Sequence, residues 1–302
     1  MTAILVSGLI NIETTLRVDH FPVHYVPVRY LFNEVNSTVS GVGYNVAKAL
    51  NVLGDDVWLL SFIGKDPYAN WVKAELANDG IPDDYILSKS RDTARSIVLF
   101  DQEGKRQINV DLKEIQQLEY PSDLFDEAVE DCGLVALCNI NFSRSMLKRA
   151  QKAGKIIATD VHTINDLYDE YNRDFMKAAN ILFMSNEALP ITPESWIEQV
   201  KTAYGTEIIV IGMGKEGVLM SVKEDQYLGR FPAVTLRPVI NTVGAGDALF
   251  SAFIHCYLHT KDPYHAIRRA IHFASYKIGD KGAAEGFVSA EKLEKLLNHH
   301  EV

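Results

Sequence analysis

Short runs of apolar residues alternate along this chain with longer stretches in which apolar residues recur every three or four positions. An uninterrupted apolar run is typical of a strand buried on both faces, and the longer spacing is typical of a helix with one buried face. Such alternation predicts an α/β fold, a doubly wound, mostly parallel sheet flanked by helices. The apolar runs are 3–7, 57–63, 134–138, 156–159, 181–184 and 208–211, and the helical stretches are 44–53, 68–77, 145–153, 248–258 and 264–278.

Two segments, 12–37 and 93–113, break this alternation. The first is rich in Val, Tyr, Phe and Pro, and the second has two β-type runs around residues 101–104, so we predict antiparallel strands, with a hairpin in the second. We expect them to form a small β lid beside the carboxyl ends of the parallel strands. No linker or repeat divides the chain, which predicts a single domain over 1–302. The sequence leaves open whether the lid also pairs with a second copy to make a homodimer.

Composition excludes several classes of protein. The net charge of -10 argues against a nucleic-acid partner, because tracking phosphates requires a basic surface. No run approaches the roughly 20 apolar residues of a membrane span, so we expect no membrane association. Cys132, Cys138 and Cys256 form no CxxC pair. Unpaired cysteines fit a reducing compartment, and we predict a cytoplasmic location.

The most informative motif is NTVGAGD, residues 241–247, which directly precedes a helical stretch. Its two glycines allow a tight turn whose backbone N–H groups point into one concavity at a helix N-terminus, where an anion would bind. Asp247 falls in the first helical turn, where the helix dipole favours an ionised carboxylate able to accept a hydroxyl proton. On these residues alone, a purely structural helix start explains the motif equally well.

Gly244-Ala245-Gly246-Asp247, preceded by Thr242, resembles the signature of the ribokinase-like (PfkB) carbohydrate kinase family. Members of that family phosphorylate sugars, nucleosides and related alcohols with ATP. The resemblance implies a ribokinase-like fold and makes Asp247 the catalytic base. It also implies that Gly244, Ala245 and Gly246 supply the amides that hold the transferring phosphoryl group.

A second resemblance lies at residues 40–45, which open a predicted helix as the family's N-terminal glycine motif does. In the family this motif lets the backbone approach the sugar closely, and its asparagine binds a hydroxyl. The matching positions are Gly41, Gly43 and Asn45. An ordinary helix start with Ser40 as N-cap explains the same residues.

The segment upstream, with Asn11 and Glu13, resembles the strand end that begins the family's substrate pocket. A carboxylate there can hold two neighbouring hydroxyls. Asn11 and Glu13 are therefore predicted to bind the acceptor, together with Asp247; a surface glutamate is the ordinary alternative.

The loop Gly212, Gly214 and Gly217 follows an apolar run and resembles the segment that lies along ATP in the family. The resemblance implies ATP and Mg²⁺ as cofactors, with Asn186 and Gly246 also near the nucleotide. In the family a glutamate follows this asparagine by three residues and organises magnesium. Leu189 stands there instead, so Glu187 is the metal-ligand candidate.

The second departure is Asn241, which replaces the family's usual aspartate in a region where relatives often bind potassium. The lost charge predicts a weak dependence of rate on potassium. Two alternatives to a sugar kinase remain open, a nucleoside kinase and a non-catalytic sugar or nucleotide sensor. The departures at Leu189 and Asn241 make the sensor conceivable. A nucleoside pocket would need aromatic side chains, for which the candidates are Tyr25, Tyr30, Phe32 and Tyr44.

Other polar residues give weaker signals. Arg95 and Arg106 flank the lid hairpin and could bind a carboxylate or phosphate of the substrate. The alternative is that both are simply exposed to solvent, as most arginines beside hairpins are. His162 follows an apolar run and could line the crevice, but we interpret it as an ordinary loop histidine. His255 and His259 have helical spacing but no intervening HExxH glutamate, so we expect no zinc site.

Overall fold

The computed structural model describes residues 3–103 and 105–300, with side chains through residue 298. The strands are β1 (Ala3–Ser7), β2 (Asn11–Arg17), β3 (Val35–Ser40), β4 (Val57–Ile63), β5 (Ile86–Ser88), β6 (Arg95–Phe100), β7 (Arg106–Asp111), β8 (Cys132–Leu137), β9 (Ile156–Thr163), β10 (Ile181–Ser185), β11 (Ile208–Gly212), β12 (Val218–Val222) and β13 (Tyr227–Phe231). The helices are α1 (Val42–Leu53), α2 (Pro67–Asp79), α3 (Ser122–Val129), α4 (Arg144–Lys152), α5 (Arg173–Ala178), α6 (Pro193–Tyr204), α7 (Ala245–Thr260), α8 (Pro263–Lys277) and α9 (Ala290–His300). Within these ranges no helix is long and apolar enough to cross a bilayer.

The larger sheet has the strand order β13-β12-β11-β10-β9-β8-β1-β4-β5. Its strands pair in parallel from β5 through β11, and β12 and β13 extend it in antiparallel fashion. This confirms the predicted α/β fold with a mostly parallel sheet. The apolar runs form its strands because helices cover both faces and bury most strand side chains.

Strand β1 lies inside the sheet, third from its β5 edge, and shows how the two faces are filled. Ile4 and Val6 belong to the apolar layer that contains α1, α7 and α8, whereas Leu5 belongs to the layer that contains α3 to α6. All three side chains are completely buried. β1 pairs with β4 on one side and with β8 on the other. The strands that follow β1 in sequence are therefore added first on one side of it and then on the other. Such a switch point opens a crevice at the carboxyl ends of the strands.

The smaller sheet has the order β3-β2-β6-β7 and forms the predicted lid. β2 pairs with β3 and β6 with β7 in antiparallel fashion, while β2 and β6 are parallel. The hairpin prediction for 93–113 is confirmed, although Gly104 of its predicted turn lies outside the described residues. The segment 12–37 forms strands only near its ends, and 18–34 contains none, in keeping with the prolines that interrupt it.

Candidate active site

The glycine turn 241–244 leads directly into α7. Gly244 has φ of 77°, and a Cβ at this position would lie 2.4 Å from the carbonyl oxygen of Ala283. Both observations require glycine, because the left-handed conformation and the close backbone contact each exclude a side chain. The Asn241 Oδ1 accepts a hydrogen bond from the Val243 amide at 2.9 Å. The predicted turn and helix N-terminus are therefore present.

The amides at this helix start differ in availability. The Ala245 N–H donates to the Thr242 carbonyl at 3.2 Å and closes the turn. Gly246 and Asp247 lie in the first turn of α7, where N–H groups have no partner within the helix. Space is open on the side of Gly246 where a Cβ would lie. The nearest atom to such a Cβ is Asp160 Oδ2, at 3.8 Å. Anion binding at this end is best served by the Gly246 and Asp247 amides.

Asp247 is 9% exposed, and Asn45 Nδ2 donates to its Oδ2 at 2.7 Å. Burial raises the pKa of this carboxyl, while the Asn45 hydrogen bond and the charge of His162 act in the opposite direction. The expectation that the helix dipole keeps Asp247 ionised left out this burial, which outweighs the Asn45 hydrogen bond and the nearby charges. A raised pKa brings the carboxylate nearer to the range in which a general base works well at neutral pH.

On the lid side of Asp247, strand β2 contributes Asn11 and Glu13 on one face. Asn11 Nδ2 donates to Ser96 Oγ at 3.0 Å, but its buried Oδ1 has no partner, and neither has Glu13 Oε1. Burial raises the pKa of Glu13 to about 7. Two unpaired acceptor oxygens in a buried place are costly unless a ligand supplies donors.

Ser40 connects these groups. Its hydroxyl lies 3.3 Å from Glu13 Oε2 and 3.2 Å from Asn45 Oδ1. The alternative role as N-cap of α1 is wrong, because the N-cap is Gly41 and Ser40 is still the last residue of β3. Asn45, Glu13 and Asp247 thus belong to one hydrogen-bonded group, assembled from β2, α1 and α7.

The glycines of the 40–45 motif are required by packing within the protein. A Cβ on Gly43 would lie 2.4 Å from the carbonyl carbon of Gly8, and one on Gly41 would lie 2.5 Å from the carbonyl oxygen of Leu9. Gly41 also has φ of 105°. We predicted that these glycines let the backbone approach a sugar. In the structure they let the start of α1 pack closely against the residues that follow β1.

The nucleotide-side glycines lie in the turn between β11 and β12. Gly217 has φ of 92°, and its Cβ would lie 2.1 Å from the Phe231 carbonyl oxygen, so packing fixes it. Gly212 and Gly214 have open space where a side chain would be. The backbone N–H of Asn186 donates a hydrogen bond to the backbone carbonyl of Gly212 at 3.0 Å. The structure thus brings Asn186 beside the glycine loop, as the predicted ATP site requires.

A sequence profile described as pfkB family carbohydrate kinase matches residues 1–290, nearly the whole chain. The chain belongs to this family. It is therefore a carbohydrate kinase, an ATP-dependent phosphotransferase whose acceptor is a hydroxyl of a sugar-like small molecule. The assignment agrees with an aspartate at the N-terminus of α7.

Similar proteins share modest identity with this pfkB kinase over most of their length. Acarbose 7(IV)-phosphotransferase of Actinoplanes sp. is 24% identical over 85% of this chain and 85% of its own. Deoxyribokinase of Salmonella typhi is 25% identical over 86% and 88%. The solved structure of a microbiome-derived acarbose kinase, Mak1, superposes with a TM-score of 0.87 at 26% identity, covering 98% of each chain. Ribokinase of Thermotoga maritima, at 21% identity, covers 99% of this chain and 100% of its own with a TM-score of 0.80, which shows the shared fold.

The metal-ligand candidate of the pfkB kinase, Glu187, is exposed, and its carboxylate lies 3.7 Å from Arg106. Asp160 ends the regular part of β9 and is 8% exposed, with Oδ2 facing Gly246. Carboxylates and water are the ligands that Mg²⁺ prefers, so both residues are of a chemical type that suits the ion. Leu189, which stands where the family usually has a glutamate, is partly buried against the apolar layer that contains α3 to α6.

Sequence reasoning missed Asp160, although an aspartate at the end of an apolar run was a usable signal. The loop position predicted for His162 is wrong, because the residue lies within β9, with φ of 57°. Its Nδ1 is 3.9 Å from Asp160 Oδ2, the oxygen that faces Gly246. Lys277, at the end of α8, is completely buried and was also missed. Nothing in the local sequence distinguishes it from the exposed lysines that commonly end helices.

The lid arginines have different roles. The Arg106 guanidinium donates to Thr242 Oγ1 at 3.0 Å, which connects the lid to the glycine turn. Arg95 lies over the Tyr68 ring at 4.5 Å and 3.7 Å from Asp66, so its contacts are structural. Of the two, only Arg106 is near the residues that would hold phosphate.

The aromatic candidates for a nucleoside pocket are either buried in the core or exposed at the surface. Tyr44 is buried on α1, with its hydroxyl bonded to Asp79. Tyr25, Tyr30 and Phe32 are more than four-fifths exposed. Their positions give no specific support to a nucleoside acceptor, and that alternative stays a hypothesis.

His255 and His259 of α7 meet Asp55, which lies between α1 and β4. The imidazoles are 2.8 and 2.9 Å from the two oxygens of the Asp55 carboxylate, and the ligand atoms of all three lie within 4.8 Å of one another. Asp55 is 200 residues away in sequence, so helical spacing gave no sign of it. The short distances fit direct hydrogen bonds between imidazole and carboxylate.

Proposed function

We propose that this kinase transfers the γ-phosphoryl group of ATP to a sugar hydroxyl in the crevice between the lid and α7. The observation that carries the proposal is the buried Asp247 carboxylate, held by Asn45 beside the free amides of the helix start. Asp247 accepts the proton of the attacking hydroxyl, and the Gly246 and Asp247 amides stabilise charge on the phosphoryl oxygens. Positioning and electrostatics then account for catalysis without a covalent intermediate.

The acceptor side supports a polyhydroxylated compound. Asn11 Oδ1 and Glu13 Oε1 are buried acceptors without partners on one face of β2, and neighbouring sugar hydroxyls would supply the missing donors. The ribose of a nucleoside would present neighbouring hydroxyls as well, so these two acceptors fit a free sugar or a ribose. We favour a free sugar because the similar proteins include a deoxyribokinase and an acarbose kinase. Glu13 and Asn11 would then bind hydroxyls next to the one that reacts.

On the donor side, ATP would lie along Gly212 and Gly214, where a close approach of phosphate or ribose meets no side chain. Asn186 lies against this loop. Mg²⁺, when bound, would neutralise the phosphate oxygens, and Asp160 and Glu187 would hold it, largely through water. Arg106 of the lid is placed to add a positive charge at the same end of the crevice.

The experiment that tests the proposal is an ATP-consumption screen with magnesium over pentoses, hexoses, their phosphates, oligosaccharides and nucleosides. Turnover that depends on a sugar and disappears in Asp247→Asn supports the proposal. Turnover with nucleosides alone would reject the acceptor class, and sugar-dependent turnover undiminished in Asp247→Asn would reject the assignment of the base.

Glu13 should make acceptor binding depend on pH. Its pKa of about 7 means that the carboxyl is protonated below neutrality and becomes a full acceptor as pH rises. The acceptor KM should therefore fall as pH increases through 7. Glu13→Gln should abolish that dependence and raise KM at pH 8 by about 10–100-fold, the value of a charged hydrogen bond. Glu119→Gln, at an exposed site, is the matched control; an unchanged pH profile of KM in Glu13→Gln would contradict the role.

The lid should become less dynamic when the acceptor binds. β6 and β7 have many exposed residues, and Arg106 of β7 provides a contact to the glycine turn, which supports a lid over the crevice. Amide hydrogen exchange in 12–37 and 93–113 should slow at saturating acceptor, because closure protects backbone hydrogen bonds. Exchange in α6, away from the lid, serves as the internal control. Equal exchange with and without acceptor would contradict the lid assignment.

We also propose that the enzyme is cytoplasmic. A further proposal is that a second copy of the chain covers part of the lid. Residues 23–35 expose a group of large apolar side chains, more than isolated surface positions usually show. The exposed residues are Val23, Tyr25, Val26, Val28, Tyr30, Leu31, Phe32 and Val35. Light scattering of the purified chain, compared with a Tyr30→Ser/Phe32→Ser variant, tests this: a homodimer that the double change dissociates is expected, and a monomeric wild type would reject it.

A further inference from the structure

Lys277 has a side chain with no exposure to solvent. Among the described residues it is the only lysine or arginine in the buried class. A charged amine is rarely buried unless partners compensate for the lost water. The position therefore needs an explanation beyond that of an ordinary helix end.

The ammonium group of Lys277 donates to the carbonyl oxygen of Val243, in the middle of the glycine turn. The rest of the turn is fastened to the same segment by neutral hydrogen bonds. Asn241 Nδ2 donates to the Lys281 carbonyl at 2.7 Å, and the Asn241 amide donates to the Ile278 carbonyl at 3.1 Å. Lys277 is thus the charged member of a set of contacts that fixes the turn in front of Asp247.

Four carboxylates raise the pKa of Lys277: Asp247 on α7, Glu13 on β2, and Asp280 and Glu285 in the segment after α8. Asp280 also binds the positively charged Arg237 guanidinium. Burial acts in the opposite direction and is the larger effect, so the pKa of Lys277 is lowered to about 8. The ammonium form dominates at neutral pH, and its charge acts at close range on Asp247 and Glu13, the two carboxylates assigned to the reaction.

We propose that Lys277 is a positioning residue, a built-in cation that holds the Val243 carbonyl and thereby aims the Gly246 and Asp247 amides at the phosphoryl group. This rests on the proposed function, because the amides have that task only in a kinase. A carbonyl oxygen that binds an ammonium group also suits a free ammonium or potassium ion. The chain therefore supplies from its own side chain the charge that a dissolved monovalent cation would otherwise provide.

Three results are expected. Lys277→Met should lower kcat by about 10²-fold, the effect of a small displacement of reacting groups, with much smaller changes in either KM. Lys277→Ala should regain kcat on addition of ammonium, methylammonium or potassium chloride, but not of tetramethylammonium chloride at equal ionic strength. Wild-type kcat should respond to none of these salts and should decline as pH rises through about 8, a decline that Lys277→Met lacks.

Lys177→Met, an exposed change on α5, is the matched control and should leave kcat unaltered. A wild-type kcat in Lys277→Met, or equal responses of Lys277→Ala to all the salts, would overturn the proposal. If neither variant folds, as judged by circular dichroism, the wild-type measurements still decide: strong potassium activation, or a flat pH profile above 8, overturns it. A wild type that phosphorylates sugars and loses activity in Asp247→Asn keeps the proposed function even then.

Discussion

Asp247→Asn is expected to slow phosphoryl transfer by about 10²–10⁴-fold, the contribution of a general base. The asparagine has the same shape and retains an oxygen for the Asn45 hydrogen bond, so the geometry of the turn should survive. Single-turnover kinetics with saturating ATP and acceptor measure the chemical step directly. ATP binding, measured by calorimetry, should persist because the amides of the helix start are untouched.

The same substitution should leave the protein at least as stable as the wild type. Burial raises the pKa of Asp247, which means that folding favours the protonated form. The stability that this group contributes is present below its unfolded pKa and is lost as pH rises through its folded pKa. A neutral asparagine avoids this loss, so Tm at pH 8 should hold or rise while activity falls. Asp174→Asn, at an exposed position, is the control. Near-wild-type turnover in Asp247→Asn would contradict the assignment of the base.

Gly43→Ala should destabilise the protein, although the same change within a helix usually stabilises by about 1 kcal/mol. The added Cβ would lie 2.4 Å from Gly8 backbone, where no flexible side chain can move aside. Overpacking of this kind costs about 1–3 kcal/mol, and the start of α1 must shift to relieve it. Since Asn45 lies two residues further on, kcat should fall as well. Denaturant unfolding measures the first effect and steady-state kinetics the second.

Gly212→Ala is the control for stability, because its nearest neighbour, the Met184 carbonyl oxygen, would lie 3.8 Å from the new Cβ. Unfolding of this variant should stay close to the wild type. A Gly43→Ala protein that is as stable as the wild type would show that the contact between α1 and β1 is loose. The explanation of the 40–45 motif by internal packing would then be wrong.

The α/β core followed from local patterns because the inner strands of the larger sheet are buried on both faces and most helices are buried on one. The apolar runs and the 241–247 turn carry that information within a few residues of sequence. Strand order is different, since the position of β1 between β4 and β8 depends on contacts across the whole chain. Sequence therefore predicted the strongly patterned elements and the lid hairpin, but it did not identify helices such as α3 and α6 or the switch point at β1.

Site residues could be predicted where the local backbone conformation alone explains the residue type. Gly244 and Asp247 belong to this class, because a left-handed turn and a helix N-terminus both leave local signatures. Lys277 and Asp160 do not, because their importance comes from burial beside α7. The pKa of Asp247 was misjudged for the same reason. A dipole can be inferred from a helix start, whereas burial depends on what the rest of the chain packs against it.

The transfer itself gives the most direct test of the account. Phosphorus NMR of the wild-type enzyme with magnesium, ATP and the sugar of highest turnover should show one new phosphomonoester forming in equal amount with ADP. Asp247→Asn should form neither at a comparable rate. If ADP instead accumulates with inorganic phosphate, at a rate that the sugar does not change, the enzyme hydrolyses ATP, and the acceptor site between the lid and α7 is contradicted.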